Sequence, residues 1–469
     1  MIYLVSNSTT FLNDFKIISL EEAIDKLSVL KEIGNDTETT GLSCHTKSLL
    51  SIQLGNEEFQ IVFDIASYSG VIPKKLKDFM NQYDGIWILQ NAKFDLQFFY
   101  KQDVILKKVY DTMLAEYILT IGLQDDGRDL KTLAWKYCGA SLDKSIRGKI
   151  IQLGLTKEVI FYAANDITYL PTIKAKQLKL IQSRDLKPAL DLDNAFVRVL
   201  AYIEYCGIKL DWNKWLKRTE KLIQWSIDKK IKLEDYLFTH GGERYKGTID
   251  MFTSRPECLV NWKSASQVIP VFEFFGIDCT VKVKGEIKKS VEKKVLQFQI
   301  PNSELLQLYF DFKESSKRAD TYGYSWKKLI NDATGRIHCS YTQIMKTGRL
   351  SSNEPNMQNL PSDAETRACF IVDPGNKMIC ADYSGQESII MANFAKDEAL
   401  LTFYRKGLED MHSFVAYLLY PELQTVPIEE VTNDLLAKIK KEHKNLRSIA
   451  KKAEFAIVLF LTIFNKSLL

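Results

Sequence analysis

The sequence of 469 residues lacks the patterns that mark zinc-binding, disulfide-rich and membrane-spanning proteins. Its eight cysteines include no C-x-x-C pair and it has only five histidines, so neither a zinc knuckle nor a redox pair is expected. Its longest apolar stretch, residues 455–464, is about half of the ~20 residues that a membrane-spanning helix needs. These absences predict reduced cysteines and no membrane partner.

Neither sign of charge dominates the chain. There are 63 basic and 59 acidic side chains, for a net charge of +4, which permits a nucleic-acid partner without arguing for one. Hydrophobic residues make up 46% and charged residues 26%, and this balance excludes a disordered tail or a collagen. At roughly 150 residues per domain, the length predicts about three domains.

Three patterns follow one another along the chain. Residues 1–185 contain four apolar runs (VLKEI, SLLSIQLG, FQIVFDI and GIWILQ) and then helical spacing, which predicts an α/β domain with an antiparallel meander and a turn at Asp36. Residues 186–330 carry apolar residues at helical spacing and predict a mostly helical domain. Residues 331–469 begin with a strand-like run, continue through a polar loop and a second strand (KMICADYS), and end in helices.

Acidic residues of the first region fall in three short segments. Asp36 and Glu38 are two residues apart at the end of a predicted strand, so both carboxylates project from one face, where Mg²⁺ or Mn²⁺ would relieve their repulsion. Asp95 follows a predicted strand, and Asp166 lies on a predicted helix one turn after Tyr162. Each segment alone is more simply explained as an acidic turn, a helix start or a surface position, but together they predict one site.

The order D-x-E, N-x-x-x-D, Y-x-x-x-D resembles the three motifs of DnaQ-type 3′–5′ exonucleases, in the version with tyrosine found in family A DNA polymerases. The resemblance covers about residues 1–185, including the segment around Asp111, and implies a ribonuclease-H-like fold. It also implies two-metal hydrolysis of single-stranded DNA 3′ ends. The residues implied to hold two Mg²⁺, with Mn²⁺ as a substitute, are Asp36, Glu38, Asp95 and Asp166. Tyr162 would position the attacking water, and Asn91 would contact the DNA and support the start of the helix that carries Asp95.

Two further segments resemble parts of a family A polymerase domain. TGRLSSNEPNMQNLPS resembles the primer-template contact, and MICADYSGQE resembles motif A in its phage-type form. Asp382 is then expected at a strand end as a catalytic metal ligand, with the Tyr383 carbonyl as a second ligand and Glu387 beside the sugar 2′ position. The DNA contacts implied by the first segment are Arg349, Ser351, Ser352, Gln358 and Asn359.

A basic segment, AKIKKEHKNLRSIAKKAEF, is predicted to form one helix. Its R-x-x-x-K-x-x-x-F pattern resembles polymerase motif B, although a solvated charged face is the simpler alternative. The resemblance implies that Arg447 and Lys451 bind the triphosphate, that Phe455 stacks on the base, and that His412 contacts the nucleotide. The residues predicted to share one helical face are Lys440, Lys444, Arg447, Lys451 and Phe455.

The expected architecture is an exonuclease domain (1–185), a helical thumb-like DNA-binding region (186–330) and an incomplete palm and fingers (331–469). Motif C, which supplies the second palm carboxylate, is not found, and Leu459 stands where the family has a tyrosine. We therefore expect polymerisation to be lost or to need a separate chain, through a frameshift, an intron or a split gene. The side chains expected to bind duplex backbone are Trp262, Lys263, Lys313, Lys317, Arg318 and Tyr322, with ordinary solvent exposure as the alternative for the lysines.

The resemblance also implies the partners and the compartment. The expected partners are primer-template DNA, single-stranded 3′ ends and dNTPs, and the expected compartment is the cytoplasm, that of a bacterial host if a phage encodes the chain. The alternative function is a non-catalytic fragment that only holds primer-template DNA.

Overall fold

The computed structural model describes residues 1–11, 13–123, 127–283, 285–383 and 385–453. These residues form two compact units, one over residues 1–376 and one from residue 377 onward. None of the helices in the described ranges could span a bilayer.

A seven-stranded mixed sheet lies at the centre of the N-terminal part of the first unit. Its strands are β1 (Ile2–Val5), β2 (Lys16–Ile17), β3 (Glu32–Thr39), β4 (Leu49–Gly55), β5 (Gln60–Asp64), β6 (Ile86–Leu89) and β7 (Val109–Asp111), in the spatial order β2-β1-β5-β4-β3-β6-β7. The predicted meander is confirmed, because β3, β4 and β5 pair antiparallel. The turn predicted at Asp36 is wrong. Strand β3 continues to Thr39 because its pairing with β4 continues, with Asp36 opposite Gln53 and Glu38 opposite Ser51.

Helices cover this sheet and follow it along the chain. They are α1 (Leu20–Ser28), α2 (Lys74–Gln82), α3 (Ala92–Lys101), α4 (Thr112–Thr120), α5 (Leu130–Cys138), α6 (Ile150–Leu153), α7 (Lys157–Thr168), α8 (Leu170–Ser183) and α9 (Lys187–Cys206). One core cluster includes Trp87, Leu96 and Phe99 and a second includes Tyr110, Leu133 and Ile173. Helix α7 packs against β3, β4 and β5, and this packing places its side chains over the centre of the sheet.

The long helices of the next region pack lengthwise. Helix α10 (Trp212–Thr239) lies against α13 (Glu304–Thr321), with α11 (Ala265–Phe274) and α12 (Lys293–Leu296) between them in sequence. Two hairpins interrupt the mostly helical region: β9 (Lys246–Ile249) with β10 (Pro256–Cys258), and β11 (Thr280–Val283) with β12 (Glu286–Lys289).

One side chain that was expected to bind DNA lies in the core of this region. Trp262 is only 1% exposed and packs with Phe272 and Tyr309. The prediction that Trp262 binds duplex DNA is therefore wrong. A tryptophan beside lysines in sequence does not reveal which of its neighbours are buried.

The remainder of the first unit is built from short elements. A small sheet has the order β13-β8-β16, from β8 (Ile208–Leu210), β13 (Arg336–Ile337) and β16 (Phe370–Ile371), and a hairpin pairs β14 (Ser340–Thr342) with β15 (Ser351–Asn353). Helix α14 (Ala364–Arg367) precedes β16.

The second unit is helical over its described residues. It contains α15 (Gln386–Ala395), α16 (Glu398–Arg405), α17 (Met411–Leu419), α18 (Asn433–Glu442) and α19 (444–453) around a core that includes Phe403, Phe414 and Leu436.

Two predictions for this unit are wrong. Residues 377–383 form no strand and are exposed, since no described strand pairs with their backbone groups. The basic segment is not one helix, because His443, with φ −119° and ψ 47°, separates α18 from α19.

Candidate active site

Three carboxylates converge above the centre of the sheet. Asp36 and Glu38 lie on β3, and Asp166 reaches the same place from α7. One oxygen of each of the three carboxylates lies within 4.8 Å of the others. Hard carboxylate oxygens at this separation suit Mg²⁺ or Mn²⁺, so the donor set fits the predicted metal site.

The fourth predicted acid lines the same cleft, which has a volume of about 430 Å³. Asp95 lies in the first turn of α3, is 3% exposed, and its Oδ1 accepts a hydrogen bond of 2.6 Å from the Thr37 hydroxyl. It is not one of the three residues whose oxygens form the tight group. The structure thus brings three predicted acids together and places Asp95 in the lining of the same cleft.

Asn91 supports the start of α3 through its backbone and not through its side chain. It has a left-handed conformation, with φ 61°, and its side chain makes no capping hydrogen bond. Instead, Asp111 accepts the backbone N–H groups of Asn91 at 3.1 Å and Ala92 at 2.8 Å. Asp111 also accepts the N–H of Met113 at 2.8 Å, at the start of α4. The resemblance covers the segment around Asp111 but implies no role for this residue. In the structure, Asp111 accepts hydrogen bonds at the starts of two helices, α3 and α4, beside the site.

Burial and mutual repulsion disfavour the charged forms of the clustered acids. Desolvation raises the pKa of Glu38 to about 8 and that of Asp95 to about 7, although the Thr37 hydrogen bond opposes the second shift. Burial and the charges of Asp95, Asp166 and Glu38 raise the pKa of Asp36 well above its usual range. A divalent cation would reverse these effects, because opposite charge stabilises carboxylates.

Two cations that belong to none of the sequence motifs, Lys144 and Arg147, line the cleft. The Lys144 ammonium donates hydrogen bonds to Asp166 Oδ1 at 2.6 Å and to the Tyr162 hydroxyl at 3.2 Å. Both cations lower the pKa of Glu38. They lie in the segment KSIRGK between α5 and α6, where the only sequence signal is three basic residues in six.

Apolar side chains also line the cleft. Leu42 is 84% exposed, Ile151 is 62% exposed, and Phe94 lines the same cleft. The sequence does not predict a role for Leu42 in the site, because an isolated leucine after D-x-E belongs to no pattern that indicates binding. Exposed apolar groups beside a charged cleft offer faces on which unpaired bases can stack.

The predicted DNA-contact segment, residues 347–362, contains strand β15 of the hairpin β14–β15. Arg349, Gln358 and Asn359 are exposed and Ser351 is half-buried. Ser352 is fully buried, and its hydroxyl donates to the Pro355 carbonyl and accepts from the Met357 N–H, both at 3.1 Å. The expected DNA contact of Ser352 is therefore corrected to a role within the loop.

The second unit gathers several of its predicted residues around a cavity of about 910 Å³. Arg447 donates two hydrogen bonds of 3.0 Å to Asp410, and Lys440 lies 4.0 Å from the same carboxylate. Asp382 lies in the exposed segment before α15, and Lys451 is exposed on α19. The predicted single face of the basic segment is wrong because of the break at His443, and Phe455 and Leu459 lie outside the described residues. The other predicted residues that line the cavity are Tyr383, Glu387 and His412.

Comparison with known proteins decides the family. Residues 16–182 match the family described as 3′–5′ exonuclease, and residues 250–465 match DNA polymerase family A. The chain belongs to DNA polymerase family A. The predicted family and the predicted fold class, α/β plus α with an exonuclease domain, are confirmed.

The family A chain is similar to several bacterial proteins named DNA polymerase I. It is 28% identical to that of Pseudomonas aeruginosa over 444 residues, which cover 88% of this chain and 45% of the relative. It is 26% identical to that of Aquifex aeolicus, over 95% of this chain and 72% of the relative. With the relative from Borreliella burgdorferi it shares 27% identity, over 94% of this chain and 46% of the relative. The chain thus spans less than half the length of two of these relatives.

A solved structure has the same fold over most of the chain. It is the POL domain of Pol1 from M. smegmatis in complex with DNA primer-template and dNTP, with a TM-score of 0.65 at 22% identity. The match covers 91% of this chain and 70% of that chain.

Proposed function

We propose that this family A chain is a DNA replication enzyme whose complete catalytic site is a 3′–5′ exonuclease acting on single-stranded DNA ends. The observation that carries the proposal is the group of Asp36, Glu38 and Asp166 oxygens within 4.8 Å, in a cleft that Asp95 also lines. Four carboxylates in one cleft are costly unless cations are part of the site.

The residues proposed to hold two Mg²⁺, or Mn²⁺ in their place, are Asp36, Glu38, Asp95 and Asp166. When bound, the ions would supply an activated water and neutralise charge on the phosphate. The tyrosine of the site, Tyr162, is 9% exposed, and its pKa is raised by burial and by Asp166. It therefore stays a neutral hydrogen-bonding group that can orient water at neutral pH.

The shape and lining of the cleft favour a single strand. Leu42 and Phe94 line the same cleft as the carboxylates, so a terminal base can pack against these side chains as its phosphate reaches the acids. Paired bases cannot make these contacts without first separating, which matches an activity that removes frayed ends.

For the polymerase-like residues we propose roles in nucleotide polymerisation. Asp382, with the Tyr383 carbonyl and Glu387, remains our candidate for the motif A metal and nucleotide contacts, and Arg447, Lys451, Phe455 and His412 for the triphosphate and base. One palm carboxylate does not neutralise two ions and a phosphoryl centre. We therefore propose that primer extension needs a second palm carboxylate in addition to Asp382, from motif C on this polypeptide or on a separate chain.

We retain the proposed division into an exonuclease domain (1–185), a thumb-like region (186–330) and palm and fingers (331–469). Primer-template DNA, single-stranded 3′ ends and dNTPs are the proposed partners, and the cytoplasm, of a bacterial host if a phage encodes the chain, is the proposed compartment. Lys263, Lys313, Lys317, Arg318 and Tyr322 remain proposed contacts to duplex backbone, and Asn91, Arg349, Ser351, Gln358 and Asn359 remain proposed DNA contacts.

A labelled-oligonucleotide assay tests the exonuclease proposal. With Mg²⁺, the chain should shorten a 5′-labelled single strand faster than the same strand in a duplex. Asp166→Asn should stop the shortening. The control is Asp143→Asn, at an exposed position just before the segment KSIRGK, which should still shorten the strand. Tight binding of primer-template without shortening in Mg²⁺ or Mn²⁺ would instead favour the non-catalytic holder.

A further inference from the structure

The side chain of Lys144 lies inside the candidate site and is paired with one of its acids. Its ammonium is 2.6 Å from Asp166 Oδ1, 3.2 Å from the Tyr162 hydroxyl and 4.8 Å from the centre of the Tyr162 ring. The Lys144 side chain is 21% exposed and that of Asp166 is 8% exposed. This ion pair is therefore largely shielded from solvent and occupies the carboxylate that belongs to the tight acidic group.

The cleft holds fewer cations than carboxylates. Among the described lining residues, the cations are Lys144 and Arg147, against the four site acids and Asp129. Asp166 Oδ1 accepts the hydrogen bond from Lys144. A metal ion that draws this carboxylate to itself must compete with the ammonium, because two cations at one oxygen repel each other.

We propose that Lys144 is an exchangeable counter-ion: it neutralises Asp166 when no metal is bound, releases it to the metal, and then holds the DNA phosphate in the cleft. This inference rests on the proposed exonuclease function. It assigns Lys144 two linked tasks, competition with the metal and binding of the substrate anion.

The position of Lys144 in the fold permits the exchange. Lys144 lies in the segment between α5 and α6, outside β3 and α7, which carry the tight group of acids. A lysine has a flexible four-carbon stem, so its ammonium can leave Asp166 without displacing either element. Arg147, three residues later, lines the same cleft and offers a second cation to the phosphate.

A purely structural role makes a different prediction. If Lys144 only fastened its loop to α7, its removal would loosen Tyr162 and Asp166 and weaken metal binding. A counter-ion role predicts the reverse for the metal, because removing the ammonium leaves the Asp166 carboxylate without a competing cation. The direction of the change in metal affinity therefore separates the two roles.

Calorimetric titration with Mn²⁺ in the absence of DNA is the primary test. Lys144→Met, which keeps the stem and removes the charge, should bind Mn²⁺ about threefold or more tightly than the wild type. Lys144→Arg should stay near the wild-type value, and so should Lys149→Met, which removes an exposed lysine from the same segment. If Lys144→Met melts far below the wild type, Lys144→Gln replaces it in the titration.

Trimming of a single-stranded oligonucleotide at saturating Mg²⁺ is the second readout. Lys144→Met should raise the KM for DNA about tenfold, with partial recovery in Lys144→Arg. If the wild type trims DNA but Lys144→Met binds Mn²⁺ no more tightly than the wild type does, this inference alone is overturned. If the wild type does not trim DNA, and Asp166→Asn binds Mn²⁺ as tightly as the wild type does, the proposed function itself is overturned.

Discussion

The hydroxyl of Thr37 donates a hydrogen bond of 2.6 Å to Oδ1 of Asp95, and both side chains are buried. Thr37 lies on β3 between Asp36 and Glu38, so the bond joins the strand of the first two acids to the helix of the third. It fixes the orientation of Asp95 and helps to keep it ionised, since it opposes the rise in pKa that burial causes.

Removing this hydroxyl should impair trimming more than folding. Thr37→Val keeps the shape of the side chain but leaves Asp95 without its donor, so we expect trimming to fall about tenfold or more and stability by about 1–2 kcal/mol. Thr37→Ser, which restores the hydroxyl, should recover most of the rate. Equal rates for all three proteins would show that the bond does not orient Asp95.

Asp111 should matter for stability as well as activity. Asp111→Ala leaves the buried N–H groups at the starts of α3 and α4 without an acceptor and should cost about 2–4 kcal/mol. Asp36→Ala removes a repelled charge and should cost little. All seven tryptophans lie in residues 1–376, so tryptophan fluorescence during urea unfolding reports on this unit. Similar midpoints for the two variants would contradict the capping role.

The buried acids should make the metal-free protein less stable as pH rises. The pKa of Glu38 rises from its ordinary value of 4.5 to about 8 in the folded state, so the folded chain binds more protons than the unfolded chain between these values. Stability contributed by this group is present below about pH 4.5 and is lost as pH rises through about 8. In EDTA, the melting temperature should therefore fall between pH 5.5 and 8, and Mg²⁺ should restore it at pH 8.

Glu38→Gln should show a shallower fall, because the substituted side chain does not titrate. The control is Glu58→Gln, at an exposed position, which should follow the wild type. Parallel melting curves for Glu38→Gln and the wild type in EDTA would contradict the raised pKa.

The thumb-like region should bind duplex DNA through charge. Lys313 and Lys317 lie one turn apart on α13 and line one groove. Replacing both with glutamine should weaken duplex binding and reduce the slope of log K against log salt by about 1.8, or ~0.9 for each phosphate that is no longer neutralised. Lys131→Gln, at an exposed position on α5, should leave the slope unchanged. An unchanged slope in the double variant would place the duplex elsewhere.

Much of the site could be predicted because its acids lie in segments with strong patterns. The apolar runs around Asp36 indicate strands, and the helical spacing around Asp166 indicates α7. Lys144 could not be predicted in this way, since a lysine in a loop has no periodicity and its partner is 22 residues away. Lys144 comes within hydrogen-bond distance of Asp166 only in the folded chain, where the loop lies beside α7, so the sequence alone does not reveal this ion pair.

The errors have a common physical origin in burial and pairing. Residues 377–383 have strand-like composition, but a strand needs a partner for its backbone groups, and none of the described strands provides one. Trp262 and Ser352 belong to residue types that are common at DNA interfaces, yet both are buried. The sequence around His443 contains no proline or glycine that would indicate a helix break.

The most direct measurement is the rate of 3′ trimming of a labelled single-stranded oligonucleotide in Mg²⁺ by the wild type, Asp36→Ala and Asp382→Ala. We predict a ladder of shortened products for the wild type and Asp382→Ala, and none for Asp36→Ala with an unchanged melting profile. Equal trimming by Asp36→Ala and the wild type would contradict the assignment of the acidic group as the catalytic site.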